Sequence, residues 1–244
     1  MKNRGNSKPT NVLYYMYGKH PVLAALQNPR RRIEKIFCTA EFARSNQIFL
    51  NKKDVEIVEL AFLTKILGPN QNHQGVAAKV HSIFLSNIHE INLSKPDCKI
   101  VVLDQISDPQ NIGSIIRSAA AFGIEAIILP QDNSPQENAT IAKISSGTLE
   151  QVKIVKVTNL KSAMESLKKE GFWIIGLDGE AKEVLDTKLL QGKVVIALGA
   201  EDKGLRRLTS ETCDHLVKIP MSKTVESLNV ASAASIVFYM SYLN

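Results

Sequence analysis

The first third of the chain alternates short apolar and polar stretches, and their spacing predicts a small mixed module. Two predicted helices end where helix breakers follow, at Pro29 and at Gly68-Pro69, because these residue types do not continue a helix. The predicted helices span 18–27, 40–49 and 60–67, and the predicted strands span 32–38, 55–58 and the end of 73–80. Together they predict a compact α/β module that follows a basic, flexible tail at residues 1–11.

The pattern changes at Lys99, where short apolar runs begin to alternate with longer helical segments. The predicted strands are 99–103, 126–129, 152–157, 172–177, 194–198 and 215–219. The predicted helices are 111–122, 138–145, 159–170, 205–212 and 227–242. Strands that are mostly apolar and alternate with helices indicate a parallel sheet covered on both faces.

The segment between these regions, residues 82–97, shows no sustained periodicity and contains Ser, Asn and Pro, which is typical of a linker. We therefore predict an α/β protein of two domains. The predicted boundaries are 12–81 for the small domain, 82–97 for the linker and 98–244 for the parallel-sheet domain.

The amino-acid composition is typical of a globular protein. The chain has 244 residues, of which 44% are hydrophobic and 22% charged, enough apolar material for a packed core and too much for a disordered chain. The longest clean apolar run, 194–200, is far shorter than the roughly 20 residues of a membrane span. No apolar stretch follows the polar N-terminus, so we expect a soluble, cytoplasmic protein of bacterial type.

Cysteine and histidine spacing predicts neither a disulfide framework nor a metal site. The three cysteines, Cys38, Cys98 and Cys213, lie far apart and form no CxxC pair. The five histidines show no HExxH and no other paired spacing. We expect reduced, partly buried thiols and no metal.

Charge is divided unevenly between the two regions. Residues 1–95 carry 14 Lys+Arg against 6 Asp+Glu, whereas residues 96–244 carry 16 against 18. Phosphate contacts dominate nucleic-acid affinity, so a basic half is typical of an RNA- or DNA-binding module. The densest points are Arg30-Arg31-Arg32 and Lys52-Lys53. For any single run a solvated basic surface is an equal alternative, but the whole half favours nucleic acid.

The familiar nucleotide-binding turns are missing from the second region. No GxGxxG is present, and Gly199-Ala-Glu-Asp-Lys-Gly204 has the glycine spacing of a P-loop but carries Leu205 where the phosphate-binding lysine belongs. Ligands of parallel α/β sheets lie beyond the carboxyl ends of the strands. The candidate loops are therefore 104–110, 199–204 and 220–226.

These loops carry a resemblance. The first segment is Leu103-Asp-Gln-Ile-Ser-Asp-Pro-Gln-Asn111 with its continuation to Arg117. The second runs from Val195 to Leu205, and the third from Ile219-Pro-Met221 through Ser227-Leu-Asn-Val230. In this order the segments resemble the three motifs of the SpoU/TrmH family of RNA ribose 2'-O-methyltransferases, of the SPOUT class. The first half resembles the small RNA-binding domain fused to the catalytic domain in the ribosomal-RNA branch. His73-Gln74-Gly75-Val76 is similar to the segment that closes that domain.

The resemblance implies S-adenosylmethionine as methyl donor, RNA as substrate, a homodimer and a trefoil knot at the C-terminus. The implied catalytic residues are Arg117, Asn111, Glu201, Ser227 and Asn229. The implied cofactor-binding residues are Leu198, Gly199, Gly204, Ile219, Met221 and Leu228. The resemblance of the first half to an RNA-binding domain, combined with the basic runs, gives the candidate RNA-binding residues Arg30, Arg31, Arg32, His73 and Gln74.

Several of these residues also have plain structural interpretations. Asn111 and Ser227 are natural N-caps for the helices that they are predicted to open. Arg117 lies in an apolar stretch and, without the motif, indicates a structural ion pair or a snorkelling side chain. Its pKa above about 12 makes it a poor base, so we expect it to hold a phosphate and to stabilise charge on the ribose oxygen. Glu201 is a candidate to bond Arg117 or an RNA group, and a glutamate that leads into a helix is an equal structural alternative.

Two positions depart from the third motif. Lys223 replaces a glycine two residues after the methionine, which adds bulk and charge at the cofactor loop. Ala231 replaces a serine, and we expect an effect on helix packing.

The leading prediction is an S-adenosylmethionine-dependent 2'-O-methyltransferase of ribosomal RNA, with a guanosine of the large-subunit RNA as target. The alternatives are a transfer-RNA ribose methyltransferase and a non-catalytic RNA-binding or ribosome-assembly factor of the same fold. A nicotinamide-dependent oxidoreductase is disfavoured because the dinucleotide turn is absent.

Overall fold

The computed structural model describes residues 12–51, 53–201, 203–222 and 224–243. The predicted tail at 1–11, Lys52 and the substituted motif position Lys223 lie outside these residues. Contacts divide the chain into two units. One consists of the residues up to Phe84 with 136–151, and the other of Leu85–Pro135 with the residues from Val152 onward.

The first unit is built on a four-stranded sheet in the order β1-β4-β2-β3. The strands are β1 Leu13–Tyr17, β2 Ile33–Cys38, β3 Val55–Ile57 and β4 Val76–His81. β4 runs antiparallel to β1 and β2, and β3 runs parallel to β2. The helices are α1 Lys19–Gln27, α2 Ala40–Ser45, α3 Gln47–Leu50 and α4 Leu60–Leu67. The predicted mixed module is confirmed, with β1 as an additional edge strand.

The predicted helix 40–49 is in fact two helices, because Asn46 interrupts it. The backbone of Asn46 leaves the helical region at φ −132° and ψ 29°. Its side-chain amide donates to the carbonyl of Phe42 at 2.9 Å. Asn competes with the backbone in this way and so disfavours helix interiors.

The second unit contains a seven-stranded sheet in the order β7-β6-β5-β10-β8-β11-β9. Every pair is parallel. The strands are β5 Cys98–Asp104, β6 Ala126–Pro130, β7 Lys153–Val157, β8 Trp173–Leu177, β9 Glu183–Val184, β10 Lys193–Gly199 and β11 His215–Lys218. The predicted α/β fold with a parallel sheet is confirmed.

The helices of the later chain are α5 Pro109–Ala121, α6 Ala139–Ile144, α7 Leu160–Lys169, α8 Arg207–Thr212 and α9 Val230–Tyr242. All are in the second unit except α6, which with the 3-10 turn Thr148–Glu150 packs in the first unit. The segment predicted as a linker is partly core: Ile91 is buried with the sheet residues of the second unit, and Leu85 pairs with Val155. None of the described helices has the length and apolar character needed to cross a membrane.

Candidate active site

The motif-bearing loops lie at one edge of the second sheet because β5 and β10 are parallel neighbours in register. Leu198 pairs with Leu103, and Gly199 with Asp104, so both strands end at the same level. β8 adjoins β10, and β11 adjoins β8. The loops after β5, β10 and β11 therefore open on the same side, where parallel sheets bind ligands.

Glu201 joins the three motifs through hydrogen bonds to one of its carboxylate oxygens. Oε1 accepts from Nδ2 of Asn111 at 3.1 Å, from Nδ2 of Asn229 at 2.5 Å and from the backbone N–H of Val230 at 3.1 Å. Nδ2 of Asn229 also donates to Oδ1 of Asn111 at 3.0 Å. Glu201 and Asn229 follow Asn111 by 90 and 118 positions in the chain, and the three residues form one closed network.

Helix capping differs from the prediction at both ends of this network. Asp108 caps α5 by accepting from the backbone N–H of Gln110 at 2.9 Å, and Pro109 follows it. Asn111 is therefore already inside the helix. Asn229, rather than Ser227, caps α9, because its Oδ1 accepts from the N–H of Ala231 at 2.9 Å. The capping predictions for Asn111 and Ser227 are wrong.

A tight turn presents Glu201. The N–H of Gly204 donates to the carbonyl of Ala200 at 2.8 Å, and Gly204 has φ +62°, a region that favours glycine. A Cβ on Gly199 would lie 2.1 Å from the carbonyl carbon of Gly204. Both glycines are therefore required by the backbone, which brings the chain back against the end of β10.

Beside the network is a cavity of about 150 Å³. All six residues predicted to bind the cofactor line it: Leu198, Gly199, Gly204, Ile219, Met221 and Leu228. Two predicted catalytic residues, Glu201 and Ser227, also line it. Asn111 and Asn229 reach the cavity only through Glu201.

The chemistry of this cavity fits S-adenosylmethionine. Leucine, isoleucine and methionine side chains provide apolar surface for an adenine ring. Asp178, Glu201 and Glu226 face the cavity, against one described cation, Lys218. An excess of carboxylates complements a ligand that carries a sulfonium and an ammonium group.

The buried carboxylate of Asp104 holds the chain that directly follows the second motif. Asp104 ends β5 and is fully buried. Its oxygens accept from the backbone N–H of Arg206 at 3.0 Å, from Nε of Arg206 at 2.6 Å and from the hydroxyl of Thr209 at 2.6 Å. Sequence reasoning did not select Asp104 or Arg206, although an acidic residue that directly follows a buried strand is a recognisable signal.

Arg117 does not join the network. It lies six residues after Asn111 on α5, about 9 Å along the helix axis. Its side chain is exposed, and no hydrogen bond or ion pair is formed by it within the described part of the chain. The interpretation as a structural ion pair is wrong, and of the two partners considered for Glu201, Arg117 is not bonded to it.

The three consecutive arginines of the first unit have different environments. Arg30 is exposed. The side chain of Arg32 is 73% exposed and pairs with Glu34 at 2.8 Å. Arg31 is fully buried and forms ion pairs with Glu137 and Glu150 at 2.5 Å each. The prediction that Arg31 contacts RNA is wrong, because its guanidinium is enclosed by protein.

His73 and Gln74 lie in the turn before β4. The backbone N–H of Gly75 donates to Nδ1 of His73 at 3.2 Å. Oε1 of Gln74 accepts from the backbone N–H of Lys19 at 3.1 Å and from Nζ of Lys143 at 3.3 Å. Gln74 is exposed and has φ 54°, so the turn keeps its amide at the surface beside two lysines.

The described residues contain no group of three or more His, Cys, Asp or Glu that could hold a metal ion. All three cysteines are free; Cys38 and Cys98 are buried and Cys213 is half-buried. Burial raises the pKa of the Cys213 thiol to about 12.

Known protein families match both parts of the chain. The model described as the SpoU rRNA Methylase family matches residues 99–239. The model described as RNA 2'-O ribose methyltransferase substrate binding matches residues 15–84.

Named relatives match over most of their length. A Vibrio parahaemolyticus protein called 23S rRNA (guanosine-2'-O-)-methyltransferase RlmB is 37% identical over 233 residues, 92% of this chain and 94% of the relative. The Escherichia coli protein of the same name is 33% identical over 242 residues, 92% of this chain and 96% of the relative.

Solved structures share the fold. The SpoU methyltransferase AviRb from Streptomyces viridochromogenes, in complex with AdoMet, is 22% identical with a TM-score of 0.82, over 95% of this chain and 89% of that one. An AdoMet-bound rRNA methyltransferase from Sinorhizobium meliloti is 21% identical with a TM-score of 0.77, over 94% and 86%.

Proposed function

Because the chain belongs to the SpoU rRNA methylase family, we propose that it transfers the methyl group of S-adenosylmethionine to the 2'-hydroxyl of a guanosine in 23S ribosomal RNA. The observation that carries the proposal is the Asn111–Glu201–Asn229 network beside an apolar cavity with three carboxylates. The names of the relatives supply the RNA and the nucleoside.

The cofactor, when bound in this cavity, supplies a methyl group already activated on a sulfonium. The protein's task is then to align the ribose oxygen and to assist loss of its proton, and such positioning contributes much of the rate enhancement. The side chains of Leu198, Ile219 and Leu228 hold the apolar part of the ligand. Asp178 and Glu226 face its positive groups.

Glu201 is the group placed to meet the ribose. Its Oε1 takes all three protein donors, and no donor to Oε2 is found within the described residues. Oε2 is therefore the oxygen available to accept a hydrogen bond from RNA at the mouth of the cavity. Asn111 and Asn229 act as positioning residues because they fix the rotamer of Glu201.

Arg117 supplies a free guanidinium for the RNA. It holds the phosphate of the target nucleotide and stabilises negative charge that develops on the ribose oxygen. Arg117→Lys keeps the charge but removes the paired donors. We expect this variant to lose at least about tenfold in turnover, since one charge-assisted hydrogen bond contributes about 1.5–3 kcal/mol. Turnover at the wild-type rate would refute the bidentate contact.

The first unit delivers the RNA through its basic surface. Arg30, Arg32 and the turn that carries His73 and Gln74 are the contacts we assign, and all are at least partly exposed. The family model for substrate binding, which matches residues 15–84, supports this assignment.

The proposal includes a homodimer formed through α5 and α9. Tyr239 and Tyr242 stack around Phe122, with ring centroids 5.7 and 6.1 Å from it. Tyr239, Tyr242 and Leu243 are 50%, 62% and 61% exposed. A contiguous apolar patch of this kind is typical of an interaction surface. Sedimentation of the wild type as a dimer, and of Tyr239→Asp as a monomer, is the expected result; a monomeric wild type would contradict it.

A trefoil knot that includes the loops after β10 and β11, and a cytoplasmic location in a bacterium, belong to the same proposal. Family membership supports both. The location also follows from the proposed reaction, because rRNA modification takes place where ribosomes are made. A transfer-RNA substrate remains the alternative that the cellular experiment separates.

The test is mass-spectrometric mapping of ribose methylation in RNA from cells with and without the gene. We expect loss of one 2'-O-methylguanosine from 23S rRNA and its return with the wild-type gene, but not with Asn111→Ala. Loss of a mark from transfer RNA instead would support the alternative substrate, and an unchanged map would reject the enzyme.

A further inference from the structure

A second groove lies at the carboxyl edge of the same sheet, on the other side of β5 from the cofactor cavity. It has a volume of about 440 Å³ and is lined by the loops after β6 and β7 and by the chain that enters α8. Its charged lining residues are Lys161, Arg206 and Arg207 against one acid, Asp132. None of them lines the cofactor cavity, and Arg206 is the cation already described at Asp104.

Arg206 is the most precisely held of these cations. Its Nε donates to the fully buried Asp104 at 2.6 Å, and its own backbone N–H donates to the same carboxylate. The two terminal nitrogens have no acceptor within the described residues, and 47% of the side chain is exposed. A guanidinium fixed by one edge presents its fork end to a ligand with little further loss of side-chain freedom.

The other two cations are held only by exposed neighbours. Lys161 pairs with Glu165 at 3.8 Å and Arg207 with Glu211 at 2.7 Å, each four residues along its helix. Surface pairs of this spacing contribute only about 0.3–0.5 kcal/mol. Both cations therefore exchange such a partner for an incoming anion at small cost.

The remaining lining residues suit a nucleotide chain. Asn133 and Asn159 offer exposed amides, and the side chain of Leu208 is 47% exposed. A ligand that joins an anion to a flat apolar group pairs with the cations and packs against Leu208. A phosphodiester with its attached nucleoside has this chemistry.

The position of the groove matches a substrate that is already engaged at Glu201. The cofactor cavity lies at the ends of β10, β8 and β11, and the groove at the ends of β6 and β7. In the sheet order, β6 and β7 are two and three strands from β10, about 10–15 Å away at the usual strand spacing. The cofactor cavity and the groove therefore lie along the same carboxyl edge of the seven-stranded sheet.

We propose that this groove binds the RNA backbone adjacent to the target nucleotide, with Arg206 as its bidentate phosphate anchor and Asp104 as the residue that positions it. The inference rests on the proposed function for the identity of the polymer. It assigns to Arg206 a part in RNA binding and none in cofactor binding.

The test measures binding of unmodified 23S rRNA transcript by filter retention at several salt concentrations, and S-adenosylmethionine binding by calorimetry, for the full chain. For Arg206→Gln we expect RNA affinity to fall about tenfold and the salt slope to fall by about one. Cofactor affinity stays within twofold. Lys169→Gln removes one exposed charge at the end of α7, at the amino-terminal edge of the sheet, for which the described residues offer no ion-pair partner, and is expected to change RNA affinity less than twofold.

Arg206→Gln leaves a buried carboxylate without its cation, so a second variant guards against misfolding. Lys161→Gln with Arg207→Gln touches no buried group and is expected to weaken RNA binding with an unchanged melting temperature. RNA affinity within twofold of wild type for both variants overturns the proposal, as does a tenfold loss of cofactor affinity in Arg206→Gln. A wild type that binds RNA through Arg206 but transfers no methyl group refutes the proposed function and leaves the groove supported.

Discussion

Replacing Arg31 by methionine removes a cation that two carboxylates share in a buried cluster of the first unit. Arg31 Nη1 lies 2.5 Å from Glu137, Nη2 lies 2.5 Å from Glu150, and all three side chains are at most 5% exposed. Nη1 also donates to the carbonyl of His81 at 2.7 Å. The variant therefore leaves two buried carboxylates without a counter-charge.

The expected cost is large. Breaking a buried ion pair by removal of one member typically costs about 3–5 kcal/mol. For a chain of this size, that corresponds to a fall of about 6–20 °C in melting temperature. The carboxylate of Glu137 keeps its donors from Tyr14 and Ser82, at 2.7 and 2.8 Å, which limits the loss.

The adjacent Arg32 is the matched control, since its side chain is 73% exposed and, among the described residues, forms its ion pair with the exposed Glu34. Arg32→Met is expected to cost less than about 1 kcal/mol. Urea unfolding of both variants, followed by far-UV circular dichroism, measures the two free energies. A cost below 1 kcal/mol for Arg31→Met, or equal costs for the two variants, would refute the assignment of Arg31 to the core.

Asn111→Ala removes two hydrogen bonds of the Glu201 network, so methyl transfer should fall about 10–100-fold, with cofactor affinity by calorimetry within threefold; equal turnover would contradict its positioning role. Burial, and then the charge of Glu137, raise the pKa of Tyr14 well above its ordinary 10.0, so the stability it contributes is fully present below pH 10 and is lost as pH rises towards the folded-state value. Tyr14→Phe should therefore flatten alkaline unfolding above pH 10, and an unchanged profile would refute the linkage. Because burial raises the pKa of Cys213 to about 12, iodoacetamide at pH 8 should modify it in the native protein at least about 100-fold more slowly than in urea; equal rates would contradict its burial.

Local pattern was sufficient for most elements. The predicted strands of the second unit correspond to β5, β6, β7, β8, β10 and β11, because apolar runs flanked by turn residues have few other interpretations. β1, Leu13–Tyr17, was missed because its five residues are apolar without alternation. β9 has two residues and no hydrophobic signal.

The candidate site was predictable only through its motifs. Apolar residues such as Leu198 and Ile219 are indistinguishable from core by pattern, and the resemblance alone selected them. The network of Asn111, Glu201 and Asn229 depends on strand order, which no local pattern encodes.

Arg31 shows the opposite failure. Three adjacent arginines predict one basic surface, yet the partners that bury the middle one, Glu137 and Glu150, lie 106 and 119 residues away. They belong to the segment 136–151, which packs in the first unit although it follows β6 in the chain. A long-range pair of this kind leaves no trace in composition or charge spacing.

The methyltransferase activity is measured by transfer of a radiolabelled methyl group from S-adenosylmethionine to unmodified 23S rRNA, followed by digestion to nucleosides and chromatography. We expect the label in 2'-O-methylguanosine with the wild type, and about 10–100-fold less of it with Asn111→Ala. Label in a methylated base, or none from a protein that binds the cofactor, would contradict this expectation.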